Sequence, residues 1–304
     1  MKTSSTKIIP HLWYDQEARE AAEFYVAAFG NGSQITNITT LPDTPSGDVD
    51  IVSFTLAGQP FMAISGGPLF KFNPAISFIV NFDPSRDPQA RANLDALWTK
   101  LSAEGTILMP LDRYPFSDHF GWIADRYGLS WQLMLSNPAG EERPFITPHL
   151  LFVGEVCGKA EEAIYFYLSV FKNTRLGNVF RYDEGQPETA NLIMFADFML
   201  EGEWFSAADS AHPHEFAFNE AVSFMVYCRD QDEIDAYWEK LSAEPAAEQC
   251  GWLKDRYGLS WQIVPAEMDK MLLNGTPEQI ARLTQALMPM KKLILTELRK
   301  AFYG

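Results

Sequence analysis

Five histidines and three cysteines are the scarcest reactive side chains of this 304-residue chain. His11 and His149 each follow a proline and precede a leucine, in Pro10-His11-Leu12 and Pro148-His149-Leu150. An imidazole so placed can ligate a metal or anchor a ligand. It can equally be an ordinary, satisfied histidine. His212-Pro213-His214 with Asp209 is the densest grouping of ligand-type side chains, in a polar stretch that also reads as a solvated loop. Asp112 and Asp118-His119 could line a pocket or a protein contact; an exposed hairpin is the simpler account. Cys250 stands directly before Gly251-Trp252, where a thiol facing a cleft could act as a nucleophile. No base is identifiable beside it, and a small buried residue is the plainer reading. Cys157 and Cys228 read the same way. There is no Ser-His-Asp signature, no nucleophile elbow and no interpretable carboxylate pair. No glycine-rich phosphate loop follows a strand, and Gly66-Gly67 lacks that context.

What positions these residues is a duplication. Asp125-Arg126-Tyr127-Gly128-Leu129-Ser130-Trp131-Gln132 recurs unchanged as Asp255 to Gln262. Leu101-Ser102-Ala103-Glu104 recurs at Leu241 to Glu244, and Ala75-Ile76-Ser77-Phe78 matches Ala221-Val222-Ser223-Phe224. The order is kept throughout, which marks a tandem repeat. The expected division is a first domain over 1–137, a linker over 138–144, a second domain over 145–265 and a helical extension over 266–304. The copies differ most between Glu104 and Trp122. There the first has sixteen residues, Gly105 to Phe120, and the second only six, Pro245 to Cys250. Length changes of this kind fall in surface connections, which often carry function.

Within the first copy, residues 7–13 read as a strand and 15–29 as a helix, with Ala18, Ala21, Ala22, Tyr25, Val26 and Phe29 at helical spacing. Asp15 is the expected N-cap. Strands follow at 34–41, 49–56 and 60–65. The pattern then restarts with a strand at 75–82, a helix at 87–103 and three further strands ending at 131–135. The second copy repeats it. The chain is therefore expected to be α+β, with four βαβββ units and mainly antiparallel sheets, which does not fit a Rossmann fold. Thr276-Pro277-Glu278 opens a helix in the extension, and Pro289 separates two helices there. Trp131 and Trp261, with Trp122 and Trp252, are read as core residues. Gln132 and Gln262 point to the opposite strand face, either into a cleft or into a structural hydrogen bond.

Composition narrows the partners. A net charge of −16, spread over both halves, argues against nucleic acid and anionic lipid. No run approaches a membrane span, and the N-terminus lacks the apolar block of a signal peptide. Three scattered cysteines give no disulfide framework. A cytoplasmic, reduced, globular protein is expected, with no nucleic-acid or membrane partner.

The motifs Pro10-His11-Leu12-Trp13, Phe24-Tyr25, Gly58-Gln59-Pro60-Phe61-Met62-Ala63, Ala75-Ile76-Ser77-Phe78 and Gly121-Trp122 through Gln132, with their second-copy counterparts, give a family resemblance. Together they resemble the PhnB-like branch of the vicinal-oxygen-chelate superfamily, whose members include glyoxalase I, extradiol dioxygenases, and fosfomycin- and bleomycin-resistance proteins. The resemblance covers nearly the whole chain. It implies clefts formed by paired βαβββ units, with ligands on the first and last strands of each. In the first copy those positions are His11, Met62 or Ser65, Ser77 and Gln132. In the second they are His149, Ser206 or Asp209, Ser223 and Gln262. One histidine and a neutral amide per copy make a poor divalent-metal set, so no cofactor is expected; His11, His149 and Asp209 are the weak metal candidates. Trp13 and Cys250 join the candidate cleft residues.

The leading expectation is a small, largely apolar ligand bound without metal, anchored by His11 with Gln132 or by His149 with Gln262. The alternatives are a metal-dependent lyase, isomerase or dioxygenase, a methyltransferase as such members are often described, or a partner-binding protein whose clefts its own side chains fill. The repeats are expected to form an intramolecular pseudo-dimer, with a homodimer also open. Whether a cleft forms within a copy or between copies is open at this level.

Overall fold

Each βαβββ unit begins with a strand whose first neighbour decides the architecture. The first unit comprises β1 (Ile8–Tyr14), α1 (Ala18–Phe29), β2 (Gln34–Thr44), β3 (Gly47–Leu56) and β4 (Gln59–Ser65). The second comprises β5 (Ile76–Phe82), α2 (Ala90–Ser102), β6 (Thr106–Tyr114), β7 (Ser117–Ala124) and β8 (Ser130–Leu135). The third comprises β9 (Ile146–Phe152), α3 (Ala160–Val170), β10 (Arg175–Arg181), β11 (Ile193–Leu200) and β12 (Glu203–Asp209). The fourth has β13 (Val222–Cys228), α4 (Gln231–Leu241), β14 (Trp252–Lys254) and β15 (Ser260–Pro265). The chain ends in α5 (Glu267–Asn274), α6 (Pro277–Leu287) and α7 (Leu295–Tyr303). This computed structural model describes residues 6–136, 141–183 and 189–304. Of the expected linker, 138–140 lie outside the described residues, as do the first five residues of the N-terminus. No helix among the described residues is long and apolar enough to cross a membrane.

The strands form two sheets, in the orders β14-β15-β13-β1-β4-β3-β2 and β10-β11-β12-β9-β5-β8-β7-β6. The fold is α+β, with most strand pairs antiparallel. Each sheet joins one unit of each sequence copy: β1 pairs with β13, and β5 with β9. Body 1 accordingly takes the chain up to Lys71 and from Phe218 onward, and body 2 takes Phe72–Ala217. The boundaries read from the repeat thus mark repeated sequence, while the sheets are assembled across them.

Two local expectations need correction. Asp15 does not cap α1; the residue before the helix is Glu17, without a side-chain cap. Ser65, at the end of β4, supplies the hydroxyl instead, accepting from Ala18 N at 3.3 Å. The fourth unit has two strands after its helix among the described residues, not three. Its six-residue connection holds a short 3₁₀ turn, Pro245–Ala247. At the edge left open there, Cys250 N and Gly251 N donate to the carbonyls of Met290 and Lys291, each at 2.7 Å.

That contact belongs to a larger cover. Helices α1–α4 pack on one face of their sheets, the back. In body 1 the opposite, front face is packed as well. Ile9, Met62, Met225 and Val264 from the strands form one buried cluster with Met271, Leu283, Leu287, Leu293, Leu298 and Phe302 from the extension. Each such side chain contributes about 1.5–3 kcal/mol on burial, enough in sum to hold three short helices that would be unstable alone. Thr276 and Gln279 complete a capping box on α6, and Gln231 clasps the segment between helices through Leu293 O (3.0 Å) and Leu295 N (2.7 Å).

Candidate functional site

Residues directly opposite on paired strands share a face, so the registers place each candidate. In body 2 a single row crosses the front face. Asp197 on β11 faces Ser206 on β12, which faces His149 on β9, which faces Ser77 on β5. Gln132 on β8 reaches the same serine, Nε2 to Oγ at 2.8 Å, and Trp122 on β7 stands opposite Gln132. His149 Nδ1 lies 3.0 Å from Ser206 Oγ. Burial lowers the His149 pKa to about 4, so the imidazole is neutral at physiological pH and offers directional hydrogen bonding, not charge. Half-buried Trp122, Met109, Met134, Phe195 and Met199 lie along this face. Its apolar cluster is small: Leu151, Val153 and Ala208, with Trp122 and Phe216 packed on it.

The row in body 1 is built from the same positions with different outcomes. His11 faces Met62 on β4 and Ser223 on β13, and Gln262 Nε2 donates to Ser223 Oγ at 2.9 Å. Met62 stands where body 2 has Ser206, so His11 lacks the hydroxyl that His149 bonds to. Its Nδ1 and the Ser260 Oγ are the two buried side-chain polar atoms without a partner among the described residues. Burial takes the His11 pKa down to about 3. Trp252 stands edge-on to His11 at 5.4 Å and to Trp13 at 5.9 Å. Its counterpart Trp122 instead donates Nε1 to Ser130 Oγ, the equivalent of Ser260, at 2.8 Å.

The sequence pairing of anchors is therefore exchanged. His11 shares a sheet with Gln262, not Gln132, and His149 with Gln132, not Gln262, because β1 bonds to β13 and β5 to β9. Both glutamines do face away from Trp131 and Trp261, which are 0% and 1% exposed in the core. Trp122 and Trp252, read as core, are half-buried on the front faces.

Asp209 and Ser65 are not beside the histidines. Each lies three residues beyond the histidine's strand partner, Ser206 or Met62, and so faces the back of the sheet. Asp209 Oδ1 accepts from Gly158 N (2.7 Å) and Ala160 N (3.2 Å), and Oδ2 from Ile193 N (3.0 Å), at the start of α3. Burial raises its pKa against the pull of those three donors. Ser65 has the matching role at α1, donating to Gln16 O at 3.0 Å. Trp13 does lie on the front face, with Nε1 donating to Gly67 O at 2.7 Å. A Cβ on Gly66 would meet its ring at 2.3 Å, so Gly66-Gly67 makes room for an indole.

The remaining candidates are structural. The Cys250 thiol packs against the extension, 3.6 Å from Met288 O, and burial raises its pKa. That is the reverse of an activated nucleophile. His214 bonds to Ser210 Oγ at 2.8 Å and lies on Phe216. His119 faces α2, with Nε2 2.6 Å from Asp95 Oδ1 and Nδ1 3.2 Å from Arg91. Asp118 pairs with Arg113 at 3.1 Å, and Asp112 is exposed. The longer first-copy segment forms the β6–β7 hairpin, whose Tyr114 and Phe116 pack on Phe120 beside a groove of about 630 Å³.

Neither row fits a divalent metal. Each offers one imidazole, hydroxyls and an amide, whereas a stable site needs several imidazole or carboxylate donors. Asp197, the one carboxylate on the body 2 row, is held by Arg143 Nε at 2.9 Å and Asn178 N at 2.6 Å. Among the described residues no three His, Cys, Asp or Glu side chains converge. Sequence reasoning missed Asp197 and its neighbours Arg143, Arg175 and Trp204. Arg143 lay in the supposed linker, and cross-strand neighbours have no signature in the sequence.

Known proteins supply the family. A family model described as 3-demethylubiquinone-9 3-methyltransferase matches residues 6–134 and again 144–264. No curated protein matches. Among solved structures, the PhnB protein from Bacillus cereus is 37% identical over 43% of this chain and 100% of its own, with a TM-score of 0.38. PA1353 from Pseudomonas aeruginosa is 23% identical over 43% and 98%, with a TM-score of 0.35. Glyoxalase I from Zea mays, 13% identical over 88% and 94% with a TM-score of 0.53, shares the fold. The chain thus belongs to the PhnB-like family described as 3-demethylubiquinone-9 3-methyltransferase, in two tandem copies on a glyoxalase-type fold.

Proposed function

We propose that this protein binds a small, largely apolar molecule on the front face of body 2, without a metal. The equivalent face of body 1 is a structural copy closed by α5–α7. The contrast between the two rows carries this reading. Body 2 keeps the His149–Ser206 and Gln132–Ser77 hydrogen bonds, with half-buried Trp122, Met109, Met134 and Phe195 around them. Body 1 has Met62 in place of the serine, an unpartnered His11 nitrogen and an apolar cover from its own chain. A face of apolar walls with a few fixed polar groups suits a ligand with an apolar, partly aromatic body. The neutral imidazole and the amide orient it, and the row supplies no Lewis acid or activated nucleophile.

Titration with the fluorescent apolar dye Nile red tests this. Met134→Trp, which fills the front face of body 2, is expected to weaken dye binding about ten-fold or more, with an unchanged circular dichroism spectrum. Unchanged affinity in that folded variant would contradict the assignment.

A further inference from the structure

We infer that the ligand of body 2 carries a carboxylate or similar planar anion, received by Arg143 and Arg175 at the place where Glu141 now sits. The inference rests on the front face of body 2 being a binding site and adds the chemical class of what binds there.

The polar row does not stop at His149. It continues through Ser206 to Asp197, two strand spacings or about 10 Å away, and there it meets an arginine pair. Arg143 Nε donates to Asp197 Oδ2 at 2.9 Å, and its guanidinium lies 3.8 Å from the centre of the Trp204 ring. Arg175 lies over the same ring at 4.7 Å. Trp204, two residues before Ser206 on β12, shares its face and is 7% exposed. One fixed indole thus gathers two guanidinium groups that would otherwise repel each other.

A single carboxylate joins them. Glu141 Oε1 accepts from Arg175 Nη2 at 2.5 Å, and Oε2 lies 3.3 Å from Arg143 Nη1. One oxygen to each arginine is how a guanidinium pair holds a carboxylate. The members differ in burial. The Arg143 and Asp197 side chains are 15% and 7% exposed, whereas those of Arg175 and Glu141 are 47% and 55% exposed. The first pair is a fixed part of the sheet face. Glu141 is itself exposed and forms solvent-screened pairs that cost little to break. A ligand carboxylate of the same geometry would restore both contacts while Glu141 turned to water. The acidic chain repels anions at long range, so recognition depends on this short-range clamp, with the apolar body of the ligand lying toward His149 and Gln132.

A matched pair of probes, 2-naphthoate and neutral 2-naphthamide, tests this on the full chain by calorimetry. The naphthoate is expected to bind about ten-fold more tightly, the worth of one or two charge-assisted hydrogen bonds. Arg175→Gln, at an exposed edge-strand position, is expected to erase that preference, bringing the two probes to the same affinity. Glu141→Gln is expected to raise naphthoate affinity several-fold, since the internal competitor is gone. Equal affinity of the two probes for the native chain, or a preference that survives Arg175→Gln, overturns the clamp and leaves the apolar site standing. No binding of either probe at millimolar concentration overturns both.

Discussion

Replacing Asp125 or Asp255 with alanine is expected to destabilise the folded chain by about 4 kcal/mol, read as a fall in the urea midpoint. The two residues open the identical octapeptides and sit 4% and 3% exposed at the turns before β8 and β15. Asp125 Oδ1 accepts from Tyr127 N (2.9 Å) and Leu129 N (3.1 Å), and Oδ2 from Trp131 Nε1 (2.9 Å). Asp255 repeats this with Tyr257, Leu259 and Trp261 at 2.8, 3.1 and 2.9 Å. Alanine would leave three donors unanswered, each costing about 1–3 kcal/mol where buried. Asparagine would not rescue, because its amide would set an N–H against an N–H at one of them. Gly128 and Gly258, at φ 87° and 85°, complete the turn, a conformation that glycine adopts without strain. The motif most conspicuous in the sequence is thus a staple. It locks a tryptophan into the core and leaves the next residue, Gln132 or Gln262, fixed on the front face. An alanine variant with the native midpoint would contradict this.

The second large effect is acid lability from the two row histidines. Burial lowers His149 from 6.5 to about 4 and His11 from 6.5 to about 3. As pH falls below 6.5 the unfolded chain takes up protons on both imidazoles while the folded chain does not. Their stability contribution is therefore fully present above that range and is lost progressively below it. Two protons give a slope of about 2.7 kcal/mol per pH unit, or about 5 kcal/mol between pH 6.5 and 4.5. Other groups add their own pH dependence, which cancels when variants are compared. His11→Leu is expected to remove about half of the loss between pH 7 and 4.5. It is also expected to be tolerated at pH 7, since Nδ1, one of the two ring nitrogens it deletes, is buried without a partner. Parallel pH profiles for wild type and His11→Leu would show that His11 is protonated in the folded chain.

Much of the fold was legible because it rests on periodicity. Ala18, Ala21, Ala22 and Tyr25 at helical spacing are the buried face of α1, and Pro289 does separate α6 from α7. The six-residue connection of the second copy foreshadowed its lost edge strand. What was not legible depends on which strand lies beside which. Near-identical units can pair within a copy or across copies, and no local pattern distinguishes β1 beside β13 from β1 beside β5. That choice alone exchanges the partners of His11 and His149. The same limit hid Arg143, whose partners Asp197 and Trp204 are some 50 to 60 positions away. Asp209 shows the opposite error: its side-chain type suited a metal, but strand parity sends it to the back of the sheet. The amphipathic extension could be recognised as helical, yet the surface it covers is set only by the registers of β1, β4, β13 and β15.

The most direct test of one metal-independent binding face per chain is an equilibrium titration of Nile red onto the full chain in the presence of a chelator. One dye per chain, with an affinity that the chelator leaves unchanged, is the expected result. Two dyes per chain, none, or binding that disappears with the chelator would contradict the account.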